Sequence, residues 1–202
     1  MDTQALREVA TRLFNTDDIA NHLIFFQRYR DKADPWLGEL ATSLTATKLL
    51  VEIFAAQCQK TANHAIVAVG SSAVSFVASE QPIGYHAAKA ALAQIIRYYA
   101  VQLGPLGVRA NLVSPALLLK EESRHALEAD ARLMEVYKSI TPLGRIGLPE
   151  DVAQLIIFLC SAAASFITGQ DIAVDGGISL VAHASLGRKL HESRQTPNPG
   201  PS

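Results

Sequence analysis

Glycine is scarce at the start of this chain: of 12 glycines in 202 residues, Gly38 alone falls within residues 1–69. A glycine-rich turn that brings the backbone up to a phosphate at a helix start therefore has no place in the first third. The later glycines stand in GSS, PLG and DGG contexts, none opening a helix after a strand at that spacing. Cysteine is nearly absent. Cys58 and Cys160 stand alone, without CxxC or Cys/His ligand spacing, and read as reduced, buried thiols of a cytoplasmic protein with no metal site. No charge sign dominates: 18 basic against 19 acidic residues leave a formal charge of −1, which argues against nucleic acid or a polybasic membrane surface as partner. Long apolar runs are missing too. Residues 155–167 form the most apolar stretch, 13 residues with two serines, too short to span a bilayer, and the start MDTQ does not resemble a signal peptide. What remains is 49% apolar and 18% charged, a composition that folds around an ordinary core.

The pattern along the chain alternates. An amphipathic helix is expected over 2–15, with Asp2 or Thr3 as N-cap and Leu6, Val9, Leu13 and Phe14 on one side. His22 to Phe26, HLIFF, reads as a strand covered on both faces of a parallel sheet. Asp34-Pro35-Trp36 starts a helix expected to run to about Lys60. Strands follow at 65–69, 108–113 and 171–174, with helices at 84–103, 121–139 and 149–161. This order predicts an α/β fold with a parallel sheet, in one domain over 1–186, and a flexible tail over 187–202.

Chemistry concentrates in one stretch. Tyr85 and Lys89 are four apart in GYHAAK, so a helix projects both from one face. Ser72 follows an apolar strand, and α/β sheets place ligands at strand C-termini. A phenol exchanges protons sluggishly at neutral pH, and a neighbouring ammonium favours its ionised form. A serine hydroxyl could donate to the substrate oxygen at which the tyrosine works. His86 reads as a solvated or packed neighbour, and Arg28 and Arg30 as solvated or interface charges.

In order and spacing, IVAVGSSA, GYHAAKAAL, VRANLVSPA and PLGRIGLPEDVAQLIIFL with ITGQDIAVDGG resemble the short-chain dehydrogenases/reductases, near their 3-oxoacyl-[acyl-carrier-protein] reductase branch. The resemblance implies a Rossmann-like sheet, Tyr85 as proton donor or acceptor, Ser72 orienting the substrate oxygen, and Lys89 supporting the tyrosine and holding a nicotinamide ribose. Residual cofactor contacts would fall on Lys89, Pro115 and Ala116. The substrate loop would correspond to 121–139.

Departures from the family pattern carry weight of their own. Ser43 stands where the family has a catalytic Asn, Gln27-Arg28-Tyr29-Arg30 replaces NNAG, and Lys120 replaces a threonine. The glycine-rich cofactor turn has no counterpart, which implies a truncated fold holding only family strands 4-5-6-7, with the 22–26 strand at an open edge partly covered by residues 1–15. From that we expect no cofactor for the isolated chain, with NAD(P) only where a partner or a longer chain supplies the site. Helices 34–60 and 84–103 and strand 22–26 are then expected to pair with a second copy or a full-length relative. Three functions are compatible with these residues: a non-cofactor-binding subunit, a pseudoenzyme beside a full-length oxidoreductase; a cofactor-independent acid/base enzyme (dehydratase, isomerase or cyclase) on a carbonyl substrate using Tyr85, Lys89 and Ser72; or an NAD(P)-dependent carbonyl reductase or alcohol dehydrogenase.

Overall fold

The computed structural model describes residues 3–14, 20–30, 34–58 and 63–195. Its elements are α1 (Thr3–Phe14), β1 (His22–Phe25), α2 (Pro35–Leu40), a π-helical turn (Ala41–Thr45), α3 (Ala46–Ala55), β2 (His64–Val69), α4 (Ile83–Leu103), β3 (Val108–Pro115), α5 (Glu121–Glu128), α6 (Ala131–Ile140), α7 (Pro149–Cys160), β4 (Asp171–Val174) and α8 (His183–Gln195). The four strands form one parallel sheet in the order β1-β2-β3-β4. His22 to Phe25 lie opposite Ala65 to Ala68, and His64 to Val69 opposite Val108 to Val113. The expected α/β architecture is present. No helix among the described residues is long and apolar enough to cross a membrane.

Several boundaries differ from expectation. The long helix after Pro35 is interrupted by the π-turn and ends at Ala55; Lys60, Asp2 and Asn15 lie outside the described residues. The 121–139 helix is two helices, the second capped by Asp130, whose carboxylate accepts from Leu133 N–H at 2.9 Å. Helix α8 runs over His183–Gln195, and 196–202 are outside the described residues. By contacts the chain divides into two compact units, Met1–Ser114 with Gln154–Ile172, and Pro115–Ala153 with Ala173–Ser202.

The core of the first unit fills the space between β1–β3 and the helices against them. Val51 and Phe54 from α3, Ile66 and Ala68 from β2, Leu92 and Ile96 from α4 and Leu112 from β3 are all buried in it. Every residue of β3 is buried, as the apolar runs of a sheet covered on both faces require. Arg109 is also buried, and it is satisfied. Its guanidinium donates to Leu159 O at 2.6 Å, Ser161 O at 3.3 Å and Asn63 Oδ1 at 2.9 Å, tying the start of β3 to the carbonyl end of α7, where a cation is favoured. Phe14 of α1 packs on Phe54, with ring centroids 6.0 Å apart. β1 is an edge strand, and Ile24 and Phe26 are exposed there beside Leu6 and Leu50. Both cysteines are free and half-buried, and burial pushes the Cys58 thiol up to about 11.

In the second unit Arg145 grips Asp151 through two 2.7 Å hydrogen bonds, and the same carboxylate accepts from Leu148 N–H at 2.7 Å at the start of α7. These bonds, the guanidinium first, hold the Asp151 carboxyl down to about 2 from an ordinary 3.8. A depressed carboxylate contributes stability above its unfolded value and loses it as pH falls through the folded one. Asp151→Asn is therefore expected to lower the melting temperature at pH 7, with the difference from the parent shrinking between about pH 4 and pH 2. Thermal melts at stepped pH measure this, and a gap that stays constant to pH 2 contradicts it.

Candidate active site

The site is built where β2 ends. Val69 is its last residue; Gly70 and Ser71 follow, and Ser71 caps the single 3-10 turn Ser72–Val74 by accepting from Ala73 N–H at 3.1 Å. That turn packs against α4. Tyr85 and Lys89 project from the first turns of α4, and the Lys89 ammonium, 5% exposed, donates to Val69 O at 2.9 Å while lying 5.8 Å from the Tyr85 ring centroid. Helix α4, the end of β2 and Ser72 are thereby brought together as the spacing suggested.

Two glycines allow the close packing. The Tyr29 ring lies directly on Gly38, so a side chain there would require the ring to move. Gly84, one residue before Tyr85, faces the start of α2, and a Cβ there would stand 2.7 Å from Pro35 O. His86 is structural: its Nε2 accepts from Ala78 N–H at 3.0 Å, which leaves Nδ1 to donate to Pro82 O at 3.1 Å.

Three features were not anticipated. Arg28, read from sequence as a solvated or interface charge, places its guanidinium 5.3 Å from the Tyr85 ring centroid and donates to Gln81 Oε1 at 3.0 Å, so the ring has a cation at both Arg28 and Lys89. Glu39 on α2 is 4% exposed, and its Oε2 has no hydrogen-bond partner among the described residues. Burial pushes the Glu39 carboxyl up, against the opposing pull of the Lys89 and Arg28 charges. Ser43, at the position of the family's Asn, is buried in the π-turn with its Oγ likewise without a partner. Thr47 completes this row, donating to Ser43 O at 2.8 Å and accepting from Gln27 Nε2 at 3.0 Å. A second bond from Gln27 reaches Thr42 O at 3.3 Å.

Pro115 and Ala116 fall in the second unit, where Ala116 N–H donates to Val174 O at 3.3 Å and Ala116 lines a largely apolar cavity of about 510 Å³ with Tyr137, Leu143 and Ile146. Among the described residues no cluster of His, Cys, Asp or Glu could hold a metal ion.

The parallel sheet with helices against it is that of a Rossmann-like fold. The chain belongs to the short-chain dehydrogenase/reductase family: the family profile described as Enoyl-(Acyl carrier protein) reductase matches residues 3–179. It is 41% identical over 121 residues to a tropinone reductase homolog of Arabidopsis thaliana, covering 60% of this chain and 46% of the relative. It is 32% identical over 145 residues to the NAD-dependent glycerol dehydrogenase of Listeria innocua, covering 72% and 56%. The chain spans about half the length of the curated relatives it matches. Among solved structures, an oxidoreductase of the same family from Burkholderia thailandensis superposes with a TM-score of 0.75 at 27% identity, over 92% of this chain and 74% of that one. A gluconate 5-dehydrogenase from Burkholderia cenocepacia, solved with NADP and tartrate, shares the fold with a TM-score of 0.76 at 23% identity, over 90% and 73%. An NAD-dependent relative and a neighbour solved with NADP point to NAD(P) and overturn the expectation of no cofactor for the isolated chain, with NAD(P) only where a partner or a longer chain supplies the site. That expectation weighed one missing glycine-rich turn above the whole remaining pattern.

The packing at Gly84 is directly testable. Gly84→Ala forces α4 away from the Pro35 carbonyl and is expected to destabilise by about 1–3 kcal/mol, the range of overpacked sites. Gly104→Ala is the control: it sits in open space with φ −52 and should cost nothing in a denaturant titration. Equal midpoints for both variants contradict the close approach.

Proposed function

We propose that this chain carries the proton-transfer centre of an NAD(P)-linked oxidoreductase that interconverts a carbonyl compound and its alcohol. One observation carries the reading: the buried Lys89 ammonium, fixed on the last carbonyl of β2, stands beside the Tyr85 ring at the strand end that also carries Ser72. Membership of the family and the dehydrogenases among its relatives support it.

The residues present fit the nicotinamide end of such a cofactor. An ammonium and two hydroxyls gathered at a strand C-terminus suit ribose hydroxyls and a reacting oxygen, and Lys89 is the residue that would hold the ribose. When bound, the cofactor supplies or accepts the hydride. In the reducing direction the Tyr85 hydroxyl gives its proton to the substrate oxygen, and in the oxidising direction it takes the proton back. The Ser72 hydroxyl donates a hydrogen bond to the same oxygen and orients it. Lys89 and Arg28 set positive charge beside the ring.

Tyr85→Phe is expected to lower turnover by about 100- to 10,000-fold, the usual worth of a positioned general acid, while leaving NAD(P)H affinity unchanged. Lys89→Met should weaken both. Steady-state assays over a panel of carbonyl substrates and nucleotide titration by calorimetry make the measurement. A Tyr85→Phe variant with parental turnover, or a chain that binds neither NADH nor NADPH, refutes the proposal.

A further inference from the structure

Just past the end of β1, Gln27-Arg28-Tyr29-Arg30 departs from the NNAG of the family, and Arg28 is the side chain that this departure brings onto the Tyr85 ring. An exposed arginine is ordinarily a solvated charge. Arg28 is exposed and yet held. Its guanidinium lies 5.3 Å from the Tyr85 ring centroid and donates through Nη2 to Gln81 Oε1 at 3.0 Å, so two contacts on the α4 side fix its direction. Among the described residues no carboxylate forms an ion pair with it. The rest of its planar fork stays open to solvent, a geometry that suits two oxygens of a carboxylate or phosphate. Lys89 has no such freedom, since its ammonium is buried on Val69 O. Arg28 stands beyond the C-terminal end of β1 as Ser72 stands beyond that of β2, the end at which parallel sheets take their ligands. An anion held there lies a few bonds from an oxygen at the Tyr85 hydroxyl. The diphosphate of a nicotinamide nucleotide is set back from its reacting ring by a ribose, which leaves the anion of the substrate itself as the nearer partner.

We propose that Arg28 is a specificity-determining residue and that the substrate is a carbonyl compound, or the matching alcohol, with a carboxylate or phosphate a few bonds from the reacting oxygen. The guanidinium holds that anion while the oxygen faces Tyr85 and Ser72. The inference names the substrate class of the function proposed above and rests on that reading.

Matched pairs make the test: pyruvate, acetoacetate and levulinate against their methyl esters, and dihydroxyacetone phosphate against dihydroxyacetone, each with NADH and with NADPH. In at least one pair, Arg28→Gln should lower kcat/KM for the anionic member by about 10- to 100-fold more than for the neutral one, the worth of a charge-assisted contact. Arg28→Lys, which keeps the charge but not the fork, should recover part of the difference. Comparison within a pair cancels any general loss of rate, and the exposed position spares the core in both variants. Equal losses in every pair overturn the proposal. So does an Arg28→Gln variant whose defect, by calorimetry, is in NADH and NADPH affinity and not in the anionic substrates, because the guanidinium then serves the diphosphate. If no carbonyl compound is reduced, the proton-transfer reading fails, and calorimetry with the same four anions decides the site separately. Binding to the parent that Arg28→Gln abolishes upholds it; no binding, or binding that Arg28→Gln leaves intact, overturns it.

Discussion

A single hydrogen bond organises the site. The Lys89 ammonium, withdrawn from solvent, donates to the carbonyl of Val69, the last residue of β2. A charge-assisted bond of this kind is about twice as strong as a neutral one, and its loss would loosen the hold on a buried cation. The bond pins α4 to the C-terminal end of the central strand. The tyrosine one helical turn earlier and the serine three residues beyond the carbonyl then have fixed places. Backbone packing around the bond, through Gly84 against α2, makes the arrangement rigid.

Much of this was legible in the residues. HLIFF and HAIVAV are apolar runs that both became strands at about the expected places; HAIVAV is covered on both faces as such a run requires, whereas β1 lies at the edge with Ile24 exposed. Spacing by four placed Tyr85 and Lys89 on one helix face without further help. Other parts were not legible, for identifiable reasons. The position of Arg28 depends on the path of a loop, which no periodicity encodes. Composition hid α8, since the proline-rich end at 196–202 lent its character to the helical residues before it. Local propensity carries no sign of a π-turn at 41–45. The cofactor expectation failed because it drew a conclusion from one absent motif.

Glu39 is the instructive case. A charged residue in the second turn of a helix reads as solvated by default, because most are. The signal was present in the spacing: Glu39, Ser43 and Thr47 recur every four residues on a helix whose other inward positions are apolar, and all three are buried. Of that row Thr47 meets the Gln27 amide, while Glu39 Oε2 and Ser43 Oγ have no hydrogen-bond partner among the described residues.

The π-turn sets a constraint of another sort on how this segment can vary. A turn closed on five residues holds one more than an α-helical turn, so deleting any single residue among Ala41–Thr45 would let the helix close its ordinary bonds throughout. Five residues of the wide turn wind through about the angle that four α-helical residues would, so the helix before such a deletion would keep its facing against the helix after it. The loss of a second residue would rotate the two parts by about 100° and turn Glu39 and Thr47 onto different faces.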